Sequence, residues 1–121
     1  MKGDHTLFEK GFEFVKKKEP KLHYMAIWGT DGIELKKEHF NGFTLDYDLV
    51  SAQISDVINR IEAIQPRFKS ICIELNWELE RFVIQNINEH YVLILLTSTE
   101  VPFSKMRYYA GRVRDLILSE L

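Results

Sequence analysis

At 121 residues, with 45% hydrophobic and 28% charged side chains, the chain can close a core without metal or disulfide staples, and its composition excludes a disordered polymer. Its one cysteine, Cys72, excludes an internal disulfide, and its longest apolar run, Tyr91–Leu96, falls far short of the roughly 20 residues that span a bilayer. Net charge is -2 but uneven, +2 over residues 1–21, -5 over 22–99 and +1 thereafter, and the acidic middle argues against a nucleic-acid groove. The charged start MKGDHTLFEKG lacks the apolar stretch of a signal peptide. The expectation is one cytoplasmic domain over residues 1–121, with no nucleic acid and no integral membrane contact.

Thr6-Leu7-Phe8-Glu9 has the form of a capping box, with Thr6 as N-cap and Glu9 reaching back. It predicts a helix carried by Phe8, Phe12 and Val15 as far as Glu19-Pro20. Lys16-Lys17-Lys18 then reads as a solvated helix end, where cations suit the dipole. Leu22–Trp28 is apolar on both alternating sets, as in a strand covered on both faces. Ile33–His39 turns polar after its first residues and reads as an edge strand, whose Lys36 and Lys37 oppose aggregation. Between the two, Gly29-Thr30-Asp31-Gly32 admits a phosphate loop, a nucleophilic Asp or a turn. A phosphate loop needs a helix N-terminus directly after it, whereas Ile33-Glu34-Leu35-Lys36 continues as a strand. Asp31-Gly32 therefore predicts a hairpin turn, with Gly supplying a positive φ.

His39–Asp48 reads as a loop around Asn41-Gly42, and Asp46 or Asp48 can cap a helix over Leu49–Gln65 that Pro66 ends. On it Val50, Ile54, Val57, Ile58 and Ile61 form one apolar stripe. Ala52, Asp56, Asn59 and Ala63 lie roughly opposite, and Ser51 and Ser55 lie on one flank, small enough to let another backbone approach. From Lys69 onward, Ile71, Ile73, Leu75 and Trp77 alternate with Ser70, Cys72, Glu74 and Asn76, giving a strand with one wet or partner-facing side. Leu79–Ile87 pairs back onto it through a tight connection at Trp77–Glu80, and Asn88-Glu89-His90 is a turn. Tyr91–Leu96 is the second strand that is apolar on both faces. Phe103–Leu121 is a helix with Ser104 as cap and Met106, Ala110, Val113 and Ile117 at core spacing. The order αββαβββα predicts an α+β three-layer sandwich. Its five-stranded, mainly antiparallel sheet has the two doubly apolar strands at its centre and helices on both faces.

Chemistry is harder to find. His5, His23, His39 and His90 are scattered, and with one cysteine no compact zinc signature exists. Neither a nucleophile elbow nor a P-loop occurs. Cys72 lies within a strand pattern and reads as a quiet packed thiol. Glu78 and Glu80 read as exposed carboxylates near a turn rather than an acid–base pair. Trp28 and Trp77 read as core or interface anchors rather than a stacking platform. The distinctive features are geometric: an unpaired edge strand over 69–77, which is a template for another chain, and the small-residue flank of the helix over 49–65.

Three pieces together resemble a Roadblock domain, of the superfamily that takes in dynein light chains and bacterial MglB-type polarity regulators. They are the hairpin around Asp31-Gly32, the helix Leu49–Gln65 and the run KSICIELNWELERFVIQNINEHYVLILLTS, which is similar to the family's three-strand meander. The resemblance implies a dimer, of this chain with itself or with another Roadblock protein. Strands at Lys69–Trp77 would meet across a two-fold axis through Ile71, Ile73 and Leu75, and the helices over 49–65 would lie side by side through Ser51, Ser55, Ile58 and Glu62. It further implies that the paired helices dock a Ras-like small GTPase through Ala52, Asp56, Asn59, Arg60 and Ala63, with no catalytic residue, metal or cofactor of their own. Arg60 reads as half of a helix-borne salt bridge rather than an arginine finger. Two other readings compete: a PAS or profilin-like ligand sensor with a cavity lined by Trp28, Phe82 and Tyr91, and a hydrolase using Asp31 or Glu78.

Overall fold

A computed structural model of the chain describes residues 8–43, 46–65, 67–77 and 79–121. Its elements are α1 (Glu9–Lys18), β1 (Leu22–Gly29), β2 (Glu34–His39), α2 (Tyr47–Ile64), β3 (Cys72–Trp77), β4 (Glu80–Asn86), β5 (Tyr91–Ser98) and α3 (Phe103–Leu118). The strands form one sheet in the order β2-β1-β5-β4-β3, and every neighbouring pair is antiparallel. The doubly apolar strands β1 and β5 are adjacent inner strands, as the sequence pattern requires, and β4 is the third inner strand, between β5 and β3. No helix among the described residues is long and apolar enough to cross a membrane.

Alternation along the strands divides the core in two. Met25, Ile27, Val83, Leu93 and Leu95 face α1 and α3, meeting Phe12, Val15, Met106, Val113 and Ile117. Tyr24, Ala26, Trp28, Phe82, Ile84, Val92, Ile94 and Leu96 face α2, meeting Val50, Ile54, Ile58 and Ile61. The result is the three-layer sandwich, helices over sheet over helix. Within the first layer α1 and α3 approach closely at Gly11, where a Cβ would lie only 2.8 Å from Val113 Cγ1.

The starts of α1 and α3 differ from expectation, α1 opening directly after Phe8. Thr6 lies outside the described residues, and Glu9 opens α1 with its carboxylate on Lys36 Nζ of β2, 3.1 Å away. Of the two aspartates offered as caps for α2, Asp48 is inside the helix; Asp46 precedes it, and its carbonyl accepts from Val50 N–H at 3.1 Å. Pro66 lies outside the described residues. Ser104 does not cap α3: the extended Pro102 does so through its carbonyl, which takes the N–H groups of Lys105 (3.1 Å) and Met106 (3.2 Å).

The C-terminal end of α1 is fastened to α3 by Glu19, which is only 3% exposed. Its carboxylate accepts from Lys21 N–H (3.0 Å) and Tyr109 O–H (2.9 Å) and lies 3.4 Å from Lys105 Nζ. Burial by itself would raise the Glu19 pKa, but these donors outweigh it and hold the carboxyl below its ordinary range. Burial, together with the Glu19 charge, pushes the Tyr109 phenol well up. A carboxyl with a depressed folded-state pKa contributes stability that is present above its unfolded value, about 4.3, and is lost as pH falls through the folded one. Glu19→Gln is therefore expected to cost about 1–3 kcal/mol at neutral pH. It should also flatten the acid limb of the stability profile, as read from urea melts at a series of pH values.

Candidate interaction surface

Asp31 and Glu80 are held in structural contacts. Asp31 Oδ1 accepts from Ile33 N–H at 3.0 Å, Gly29 N–H bonds Ile33 O at 2.7 Å, and Gly32 has φ +90°, so this segment is the hairpin turn. Cys72 is half-buried, and burial, with the nearby Glu74 charge, pushes its thiol pKa up, away from the nucleophilic thiolate. Glu80 is paired with His23, whose ring stacks on Phe43 at 5.1 Å. Glu78 lies outside the described residues. Among the described residues no group of His, Cys, Asp and Glu has the arrangement of a metal site.

The ligand cavity expected between Trp28, Phe82 and Tyr91 does not exist. Trp28 and Phe82 are packed into the α2-side core, whereas Tyr91 stands on the opposite face against Phe8, with ring centroids 5.5 Å apart. Pairing Gly29 with Tyr91 while Trp28 pairs with Val92 puts the tryptophan and the tyrosine on opposite faces of the sheet.

What remains is surface, and the two sheet edges differ. On β2 the register jumps, Ile27 opposing Lys36 and Trp28 opposing Glu34, so that Leu35 bulges from the ladder beside Lys36 and Lys37. Bulges and lysines blunt an edge. On β3 the ladder with β4 runs unbroken through six pairs, Cys72↔Gln85 to Trp77↔Glu80, and the strand contains neither Lys nor Pro. Its α2-facing side emerges progressively from cover: Ile71 is 9% exposed, Ile73 half-buried and Leu75 40% exposed. Ile64, at the end of α2, is 41% exposed, and Val57 is half-buried.

The residues expected at an interface differ in how far they are covered. Ile58 (1% exposed) and Ile71 belong to the chain's own core, so neither is free to meet a second chain. The strand starts at Cys72 rather than Lys69, because Ile71 N–H is taken by the Asn86 side chain instead of by a ladder partner. Ser55 Oγ lies 3.7 Å from where a Gly32 Cβ would stand, and Glu62 shares a cleft with Thr30 and His90. The Ser51–Ser55–Glu62 flank thus looks toward the β1–β2 hairpin. By helical periodicity the opposite flank, bearing Gln53, Val57, Arg60 and Ile64, looks toward β3. Ala52, Asp56, Asn59, Arg60 and Ala63 are all exposed on the outward side of α2, and Arg60 Nε pairs with Asp56 at 3.3 Å as a helix-borne salt bridge.

No protein-family model and no curated protein sequence matches the chain. Solved structures do. MglC from Myxococcus xanthus superposes with a TM-score of 0.69 at 18% identity, covering 95% of this chain and 99% of that one. The gliding protein MglB from Thermus thermophilus gives 0.72 at 15% identity, over 99% and 93%. A Roadblock/LC7 domain from Streptomyces avermitilis gives 0.61 at 10% identity, over 88% and 91%. The fold is that of the Roadblock domains.

On this Roadblock scaffold the open β3 edge is positioned by residues that strand and helix patterns did not single out. Asn86, 2% exposed, accepts from Ile71 N–H (2.7 Å) and Gln85 Nε2 (3.1 Å), and it donates to Gln65 Oε1 and Lys69 O (both 3.2 Å). Arg114 of α3 reaches across to Asn86 O (3.1 Å) and Lys69 O (2.8 Å). Together they clamp the α2–β3 connection. The available signal was Gln85-Asn86, a polar pair at the end of an apolar strand, since buried polar groups demand partners. Asn86→Ala is expected to cost about 2–3 kcal/mol by stranding buried donors and acceptors, and to speed hydrogen exchange over residues 67–77 more than elsewhere. Arg60→Ala, which removes one exposed ion pair, should change stability by less than about 0.5 kcal/mol in the same melts.

Proposed function

We propose that this chain is a non-catalytic adaptor of a single Roadblock domain. It pairs through β3 with a second copy or another Roadblock-fold chain, and it presents its α2 helices to a Ras-like small GTPase in a polarity- or motility-type assembly. The observation that carries the pairing is the β3 edge: regular, free of Lys and Pro, and bearing on its α2 side the half-buried Ile73 and the exposed Leu75, with half-buried Val57 and exposed Ile64 on the nearer flank of α2 by helical periodicity. A second β3 added antiparallel across a two-fold axis extends the sheet and brings a second α2 over that apolar strip. Related architectures support the reading, one solved chain being described as MglB with a tetrameric arrangement and another as a gliding protein.

The GTPase surface rests on the resemblance, carried to Ala52, Asp56, Asn59, Arg60 and Ala63. In its favour, these residues are exposed, two of them are alanines that leave the helix surface low, and none is spent on the core. The dimer contact on α2 is assigned to Val57 and Ile64 rather than to Ser51, Ser55 and Glu62, following the orientation of the helix. Glu62 and the serines are left to support the hairpin side. The GTPase supplies the phosphoryl-transfer machinery, and the adaptor supplies position.

Light scattering at micromolar concentration should give about twice the mass of one chain for the wild type and one chain for Leu75→Asp or Ile73→Asp, since a carboxylate there must be buried unpaired. A monomeric wild type overturns the pairing. Gel filtration with candidate GTPases in GDP and GTP-analogue states should give a complex that Ala63→Arg abolishes while leaving the dimer intact; no complex in either state overturns the GTPase assignment.

A further inference from the structure

The face opposite α2 carries charged and exposed aromatic side chains that the adaptor role does not use. Helices α1 and α3 carry eight Lys and Arg against three exposed or half-buried carboxylates, whereas α2 carries three carboxylates against Arg60 alone. Several cations are spent on pairs: Lys16 with Glu13 and Glu38, Lys105 with Glu19, and Arg107 with Glu74. Lys10, Lys17, Lys18 and Arg112 are exposed and have no carboxylate partner among the described residues. Two of them, Lys18 and Arg112, flank an aromatic pair. Phe14 has Lys18 Nζ at 5.7 Å and the Arg112 guanidinium at 5.9 Å from its ring centroid, and Tyr108, 54% exposed, lies 6.1 Å away.

We propose that this α1–α3 face is a peripheral docking surface for an anionic lipid bilayer. Clustered Lys and Arg seek the negative surface potential of such a membrane, and an exposed tyrosine suits the headgroup level, where its ring and hydroxyl are both accommodated. Charge complementarity alone would also admit an acidic peptide or RNA. The arrangement favours an extended planar partner. The free cations are spread over two helices lying side by side on one face of the sheet, and in the proposed β3-paired dimer both copies of that face point the same way. Two such faces bind a plane together, so weak contacts add as avidity. That last step rests on the pairing proposed above; the charge cluster does not.

The test is flotation with vesicles of phosphatidylcholine alone or with about 40 mol % phosphatidylglycerol. Wild type should float only with the anionic vesicles and be released at about 0.5 M salt, where the Debye length falls to about 4 Å and the surface potential no longer reaches beyond direct contact. Lys17→Glu with Arg112→Glu should weaken partitioning at least about twenty-fold, roughly fivefold for each cation lost. Tyr108→Ser should weaken it by a smaller factor. Lys37→Glu with Arg67→Glu makes the same change in net charge elsewhere and should leave binding within about twofold. All these side chains are exposed, and melting curves confirm that the variants fold. The proposal is overturned if wild type ignores anionic vesicles, if both double variants lose binding equally, or if an RNA oligonucleotide or a polyglutamate peptide binds the face while vesicles do not. Running Leu75→Asp alongside separates the two readings. If pairing is wrong, wild type and Leu75→Asp float alike, and the dependence on Lys17 and Arg112 still decides the lipid proposal.

Discussion

Where β1 and β5 lie side by side, the side chains from Tyr24 to Trp28 and from Val92 to Leu96 are all out of water. Each such apolar side chain is worth about 1.5–3 kcal/mol buried rather than exposed, and no one-sided covering could bury both alternating sets. A sheet with these two strands at its centre must be covered above and below. That requirement fixes the three layers and assigns α1 with α3 to one face and α2 to the other. It also pushes the less apolar strands β2, β4 and β3 outward. The edges and their differences follow from the centre.

The outer strands then divide the work. Strand β2 is bulged at Leu35 and tied to the α1 layer, with Lys36 on Glu9 and Glu38 on Lys16. Strand β3 is regular, clamped by Asn86 and Arg114 at the connection before it and tied to α3 through Glu74 and Arg107, and these contacts leave its outer edge unblunted. One edge is closed to further strands and the other is kept straight and available. The asymmetry follows from local chemistry rather than from fold type, because a bulge and two lysines on β3 would give the same sandwich with no open edge.

Much of this was legible in the sequence, for identifiable reasons. Period-two alternation that fails at Leu22–Trp28 and Tyr91–Leu96, where both sets are apolar, marks inner strands regardless of tertiary detail. Asp31-Gly32 marks a hairpin because few residues other than Gly accept a φ near +90°. Less legible was which flank of α2 faces which edge. A helical wheel gives the angle between Val50 and Ser55 but not the direction in which the helix crosses the sheet. Ser55 lies beside the Gly32 turn, a neighbour that its spacing along the helix does not announce. Ile58 was assigned both to the core stripe and to the shared flank, and burial settles it in the core. The clamp was hidden for another reason: Asn86 and Arg114 come from β4 and α3, Gln65 and Lys69 from the α2–β3 connection, and nothing in their spacing brings them together before the chain folds.

The layered build also keeps the two outward surfaces independent. The α2 side chains at Ala52, Asp56, Asn59 and Ala63 and the α1–α3 cations are separated by a full sheet and by two core layers of close-packed side chains. Substitutions so far apart with no shared partner act additively. Close-packed interiors resist small continuous deformation, so a charge change on one face has no soft route to the other. A chain of this kind can therefore hold one partner on each side of its sheet and adjust each contact separately.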